Sequence, residues 1–214
     1  MTIDVFADIA CPWCYIGEAN LAAALAARPH LGVERRWRPY QLQPGIPREG
    51  LPRDSFYEDK FGGRDRMEAA FARTEAVAIE AGLRMDLGRM SRAPNTVDAH
   101  RLVLLAGTYG RTWEAVDALF EAHFADGRDL NDAEDFVAIA EHAGVPGADA
   151  RALLGDDRFE ADVRKSQTIA ERSGITGVPL YLIDDQFALS GAQPADVFVQ
   201  ALDRAATAHT SDER

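Results

Sequence analysis

Two cysteines three residues apart, Cys11 and Cys14, carry the clearest chemistry in this sequence, and they are its only cysteines. In Cys11-Pro12-Trp13-Cys14 the spacing predicts two sulfurs on one face of a helix start, able to close into a disulfide without large backbone movement. The first sulfur faces the unpaired N–H groups and positive dipole end of that helix, which favours a thiolate there. A thiolate attacks disulfides and also leaves readily. Cys14, one turn deeper, is the natural resolving thiol: it attacks the mixed disulfide formed at Cys11 and releases the reduced partner. Pro12 suits the first turn, where its missing N–H costs nothing.

Two other readings of the motif compete. A lone C-x-x-C is also half a zinc site, but zinc wants four N or S ligands. Only His30, His100, His123, His142 and His209 remain as candidates, none paired at ligand spacing, and there is no second Cys pair. Two inert core cysteines are the other alternative, since free Cys is commonly buried. The intervening Pro, with a strand before and a helix after, favours redox chemistry.

The elements that must position these sulfurs follow from apolar spacing. Ile3, Val5, Phe6 and Ala7 read as a short buried strand. Tyr15, Ile16, Ala19, Ala22, Leu25 and Ala26 recur at helical spacing, closed by Pro29. Val33 to Leu42 reads as a second strand, and Pro44 to Pro52 as a loop leaving the sheet. From Ser55 to Leu154 nearly everything is helical, with Thr112 and Asp132 as candidate caps. Asp156 is a candidate cap for a further helix ending at Gly174. Then come Gly177-Val178-Pro179, a strand from Leu180 to Ile183, a turn at Asp184-Asp185, a strand from Phe187 to Ser190 and a last helix. The expected architecture is one α/β domain of residues 1–45 and 156–207, split by a helical insert of residues 46–155, with a flexible tail at 208–214.

Composition narrows the function classes. Apolar residues make up 47% and charged residues 27% of the 214, as in an ordinary globular chain that needs no metal or disulfide to support its core. A net charge of −12 argues against a nucleic-acid or anionic-membrane binder. Thr2 to Ile9 lacks the basic opening and long apolar stretch of a secretory signal, and no window approaches a membrane span. The expected location is the cytoplasm, where thiols are kept reduced.

Four segments together resemble the DsbA-like thioredoxin superfamily, and within it the FrnE-like branch grouped with 2-hydroxychromene-2-carboxylate isomerases. They are Asp8 to Gly17 around the cysteines, Pro94-Asn95-Thr96-Val97-Asp98-Ala99-His100-Arg101, Gly177 to Ile183, and Ser190-Gly191-Ala192-Gln193-Pro194. The resemblance spans essentially the whole chain. It implies a thioredoxin fold interrupted by a large all-helical insertion domain. It implies a cis Val178-Pro179 peptide facing the sulfurs, where Val178 would pair with an extended substrate segment as an added strand.

Two departures bear on chemistry. DsbA-type proteins often place His between the cysteines, whereas Pro12-Trp13 stand here; Trp13 brings no charge, so a less oxidising couple is expected, with Trp13 as a substrate contact, a shield for Cys14 or an ordinary packing residue. The glutathione-using isomerases usually carry Ser where Cys11 stands. Asn95 matches a position that contacts glutathione in that branch, with helix capping as the alternative, and His100 is expected to be polar support for the insert.

The leading expectation is a thiol–disulfide oxidoreductase with Cys11 as nucleophile, Cys14 resolving, and Trp13, Val178 and Pro179 on the substrate side. It needs no prosthetic cofactor, takes disulfide or thiol substrates with glutathione as an optional co-substrate, and leaves room for a homodimer. The alternatives are a glutathione-dependent isomerase or transferase acting on a small aromatic or polyketide-like substrate, and a non-catalytic holdase using an apolar groove.

Overall fold

The computed structural model describes residues 1–212. Strand β1 (Thr2–Ala7) lies inside the sheet, with Ile3, Val5 and Ala7 on one face and Phe6 beside Asp4 and Thr2 on the other. Ile3, Val5 and Ala7 enter the main core, while Phe6 points the other way to pack with Tyr40 and Ala170. β1 pairs in parallel with β2 (Glu34–Pro39) and antiparallel with β5 (Leu180–Ile183), which in turn pairs antiparallel with β6 (Phe187–Ser190). The resulting order, β2-β1-β5-β6, is the thioredoxin arrangement. The return from β5 to β6 turns at Asp184 and Asp185, both at positive φ, which Asp tolerates better than most residues.

Helix α1 (Pro12–Ala26) joins β1 to β2 and packs against α9 (Ala195–Asp212). Residues 208–212, expected as the start of a tail, continue that helix; residues 213 and 214 lie outside the described residues. Between β2 and β5 lie α2 (Arg53–Phe61), α3 (Arg64–Glu80), α4 (Val97–Thr108), α5 (Thr112–Phe124), α6 (Ala133–His142), α7 (Gly147–Leu154) and α8 (Glu160–Arg172). A two-residue ribbon, β3 (Leu51–Pro52) with β4 (Arg92–Ala93), ties the start of the helical region to the approach to α4. It is too short to show the alternation that marks a strand in sequence. A single apolar cluster runs from Ile3 through Phe71, Leu119 and Phe136 to Leu202, so the sheet and the inserted helices share one core.

Asp132 caps α6 as expected, accepting hydrogen bonds from the N–H groups of Glu134 (2.9 Å) and Asp135 (3.0 Å). Asp156 does not cap α8. That helix starts at Glu160 behind Phe159, and the Asp156 carboxylate pairs instead with Arg158 and with the buried Arg101 at 3.1 Å. The buried guanidinium outcompetes the helix end because it has no water to turn to. Thr112 is the first residue of α5, not its cap. Among the described residues, no helix is long and apolar enough to cross a membrane.

His123 on α5 is buried and packs on Phe124 with ring centroids 4.7 Å apart. Burial pushes its pKa down to about 4 from 6.5. Between those values the unfolded chain binds more protons than the folded one. Stability from this group is therefore complete above the unfolded value and is lost as pH falls toward 4, by up to about 3 kcal/mol. His123→Phe is expected to flatten the fall of the urea midpoint between neutral pH and the acid limb. An equally steep fall in the variant would exclude His123 as its source.

Candidate active site

β1 ends in a turn that presents the first cysteine. The Cys11 N–H donates to the Asp8 carbonyl at 3.1 Å, and the Asp8 carboxylate accepts from Ala10 N–H (3.3 Å) and Leu42 N–H (2.7 Å). Asp8 thus ties the turn before Cys11 to the chain leaving β2. Its other neighbour is His100, with Nε2 at 3.4 Å, while Nδ1 of that ring accepts from Trp37 Nε1–H at 3.2 Å. His100 is wholly buried on α4 and is polar support between insert and sheet, with no path to substrate as a base.

Cys11 is the N-cap of α1, in extended conformation with Pro12 as the first helical residue. Cys11 thus stands at the position of a capping residue, beside the helix's free amide hydrogens, but makes no side-chain capping bond to them. From the far end of the chain, the cis Val178–Pro179 peptide brings the Val178 carbonyl to the same point, and Cys11 Sγ donates to it at 3.7 Å. Pro179 also packs on α1 at Gly17. A Cβ there would collide with the Tyr181 hydroxyl and lie 3.3 Å from Pro179 Cγ and 3.4 Å from the Ala192 backbone, so only glycine admits this approach.

Both thiols are free. Cys14 is buried beneath Cys11; burial, then its hydrogen bond to Cys11 and the charge of that sulfur, push its pKa well above the ordinary thiol value. It therefore keeps its proton at neutral pH until it is called on to attack. Behind it, the buried Tyr181 hydroxyl has no hydrogen-bond partner, and Glu18, although paired with Arg35, is pushed up to about 8 by burial. Arg35 in turn stacks on Trp113, 3.9 Å from the ring centroid.

Cys11 is only 4% exposed, yet it is not sealed in the core. With Pro12 and Trp13 it lines a cavity of about 730 Å³ whose other wall comes from the insert, including Tyr57, Phe61, Phe71, Val77 and Leu87. Trp13, 41% exposed, stands at the mouth. Cys11, Cys14, Val178 and Pro179 converge on the amino end of α1, and Trp13 lies beside them. The sequence reading missed Tyr57 and the other insert residues. The aromatic run Phe56, Tyr57, Phe61 and Phe71 was the available signal, since these rings pack edge to face and Tyr57, Phe61 and Phe71 line the cavity.

Asn95 lies elsewhere. Its side-chain oxygen accepts from Val97 N–H at 3.0 Å and its amide donates to the Ile46 carbonyl, so it braces the start of α4 and does not line the cavity. Among the described residues, no group of three or more His, Cys, Asp and Glu side chains is placed to hold a metal ion.

Comparison with known proteins agrees with this geometry over nearly the full chain. A probable DsbA oxidoreductase of Streptomyces coelicolor has a crystal structure that superposes with a TM-score of 0.85 at 37% identity, covering 96% of this chain and 89% of that one. The 2-hydroxychromene-2-carboxylate isomerase structure shares the fold with a TM-score of 0.73 at 15% identity, covering 99% and 98% of the two chains. The uncharacterised protein YwbO of Bacillus subtilis (strain 168) is 26% identical over 201 residues, 94% of each chain. With a four-stranded sheet in this order, a helix opening on the cysteine pair and a family match over residues 2–203, the chain belongs to the DSBA-like thioredoxin domain family.

Proposed function

We propose that this protein is a thiol–disulfide oxidoreductase working through Cys11 and Cys14. The observation that carries the reading is the placement of Cys11 Sγ at the amino end of α1, against the Val178 carbonyl, with a protonated thiol directly behind it. The Streptomyces relative, named a probable DsbA oxidoreductase, supports the same class.

Cys11, as thiolate, attacks one sulfur of a substrate disulfide, and the other sulfur leaves as a thiolate that takes up a proton. Cys14 then loses its proton and attacks Cys11 Sγ. The second substrate thiolate departs and the Cys11–Cys14 disulfide remains. Two equivalents of an external thiol, glutathione among them, return the pair to the dithiol. The electrons reside in the cysteine pair, so no prosthetic group enters the cycle. Trp13 contacts the substrate at the cavity mouth, and the backbone at Val178 pairs with an extended segment where the substrate has one. In a reducing cytoplasm the pair rests as the dithiol, so the net direction is reduction or reshuffling of disulfides. A glutathione-dependent isomerase is the weaker reading, because Cys11 would exchange with glutathione disulfide to a mixed disulfide, releasing glutathione, and Asn95 is committed to the backbone.

The test is Cys14→Ser. With the resolving thiol gone, the variant is expected to accumulate a mixed disulfide at Cys11 that intact-mass spectrometry detects after incubation with a model disulfide, while the wild type shows none at steady state. Absence of an adduct, or an adduct equally persistent in wild type, contradicts the assignment.

A further inference from the structure

The nucleophile lies at the base of a cavity, and this limits what reaches it. Cys11 is only 4% exposed, so a disulfide held rigidly in the surface of a folded protein approaches it less readily than a small molecule that enters the cavity. A cavity of about 730 Å³ falls within the range of small-ligand sites, roughly 300–1,000 Å³. Its walls are mostly apolar and include Phe61, Phe71, Val77, Leu87, Met90 and Phe124.

Charge adds a second constraint. In a protein of net charge −12, the charged residues that line this cavity, among the described residues, are Lys60 and Arg73, both cationic. Both are exposed, so they sit where the cavity meets solvent. Among the described residues neither forms an ion pair with a carboxylate, whereas Arg53 and Arg64 on the same two helices do. The Lys60 ammonium lies over the Tyr57 ring at 5.8 Å. The Thr74 hydroxyl is already spent on the Ala70 carbonyl at 2.9 Å. An apolar chamber with a thiol at its base and two unpaired cations at its rim matches an amphipathic, anionic ligand.

We propose that the substrate is a small disulfide of an apolar, preferably aromatic, thiol bearing a carboxylate or similar anionic group, held by Lys60 and Arg73 with its sulfur at Cys11. This deepens the oxidoreductase reading and rests on it. In the reaction R–S–S–R′ is cleaved: Cys11 forms the bond to R–S, R′–S⁻ leaves and is protonated, and Cys14 displaces R–S⁻. The enzyme's two thiols are oxidised to one disulfide, and an added thiol reductant such as glutathione closes the cycle. Tyr57, which lines the same cavity as Cys11, offers the bound ligand a phenolic donor.

The experiment compares three disulfides with the same thiol reductant: the dianionic aryl disulfide dithiobis(nitrobenzoate), the neutral aryl disulfide dithiodipyridine, and insulin. Wild type is expected to saturate with the dianionic probe and to prefer both aryl disulfides to insulin. In Lys60→Gln/Arg73→Gln the anionic-over-neutral ratio of kcat/KM should fall about tenfold, through KM, because two rim ion pairs are lost. Lys60→Arg/Arg73→Lys should keep the ratio, and added salt should lower it in wild type. An unchanged ratio in the Gln variant, or insulin as the best substrate, overturns the proposed site while leaving the redox chemistry in place. Wild type inert toward all three overturns the oxidoreductase reading itself, and this proposal with it.

Discussion

Replacing Cys11 by Ser is expected to stop disulfide reduction, with kcat/KM falling by more than about a thousandfold. A serine hydroxyl stays protonated at neutral pH and forms no bond that Cys14 could exchange. The fold should not suffer: Cys11 is the N-cap of α1 and makes no side-chain capping bond, whereas Ser is among the best capping residues. The loss is therefore chemical, and an unchanged far-UV spectrum and melting temperature should accompany it. Turnover that survives the change would transfer the attack to Cys14. Cys14 is 2% exposed with its thiol pKa raised by burial, so such a result would contradict the order of events proposed here.

The largest stability effect is expected at Arg101. This side chain is fully buried on α4, and its guanidinium donates to the carbonyls of Arg158 (2.7 Å), Leu153 (2.8 Å) and Asp156 (2.7 Å). It also pairs with the Asp98 carboxylate at 2.6 Å. One residue thereby fastens the connection between α7 and α8, where the chain returns toward the sheet. Arg101→Met keeps much of the volume but takes a donor from three carbonyls and from the carboxylates of Asp98 and Asp156. Breaking a buried pair from one side costs about 3–5 kcal/mol. For a chain of this length that lowers the melting temperature by about 6–20 °C. Calorimetry is the measurement, and thiol-exchange activity below the melting transition should persist because Arg101 does not line the cavity. A shift under about 2 °C would show that water replaces the guanidinium at little cost.

Arg101 also illustrates why part of this molecule escapes a sequence reading. An arginine in a helical stretch is usually solvated, and nothing in its spacing says that backbone carbonyls more than fifty residues away will need a donor. Asp156 was misassigned as a helix cap for the same reason, its partner lying on a distant helix. The two-residue ribbon of β3 and β4 left no pattern at all. Local features fared better: Asp132 caps α6 from its position three residues before an acidic side chain, and the apolar run Ile3 to Ala7 makes a central strand.

What the sequence by itself determined is the local chemistry. Cysteines at i and i+3 with proline between them, after a buried strand and before an apolar helical stripe, dictate a thiol pair at a helix start, because helix geometry acts within a turn. Tertiary structure alone decided what surrounds those thiols. Val178 meets Cys11 across 167 residues of chain, and Tyr57, Lys60 and Arg73 come from an insert whose stripes revealed only that some face is buried. Apolar periodicity records which side of a helix leaves water and not what it packs against; that depends on how all the faces fit at once.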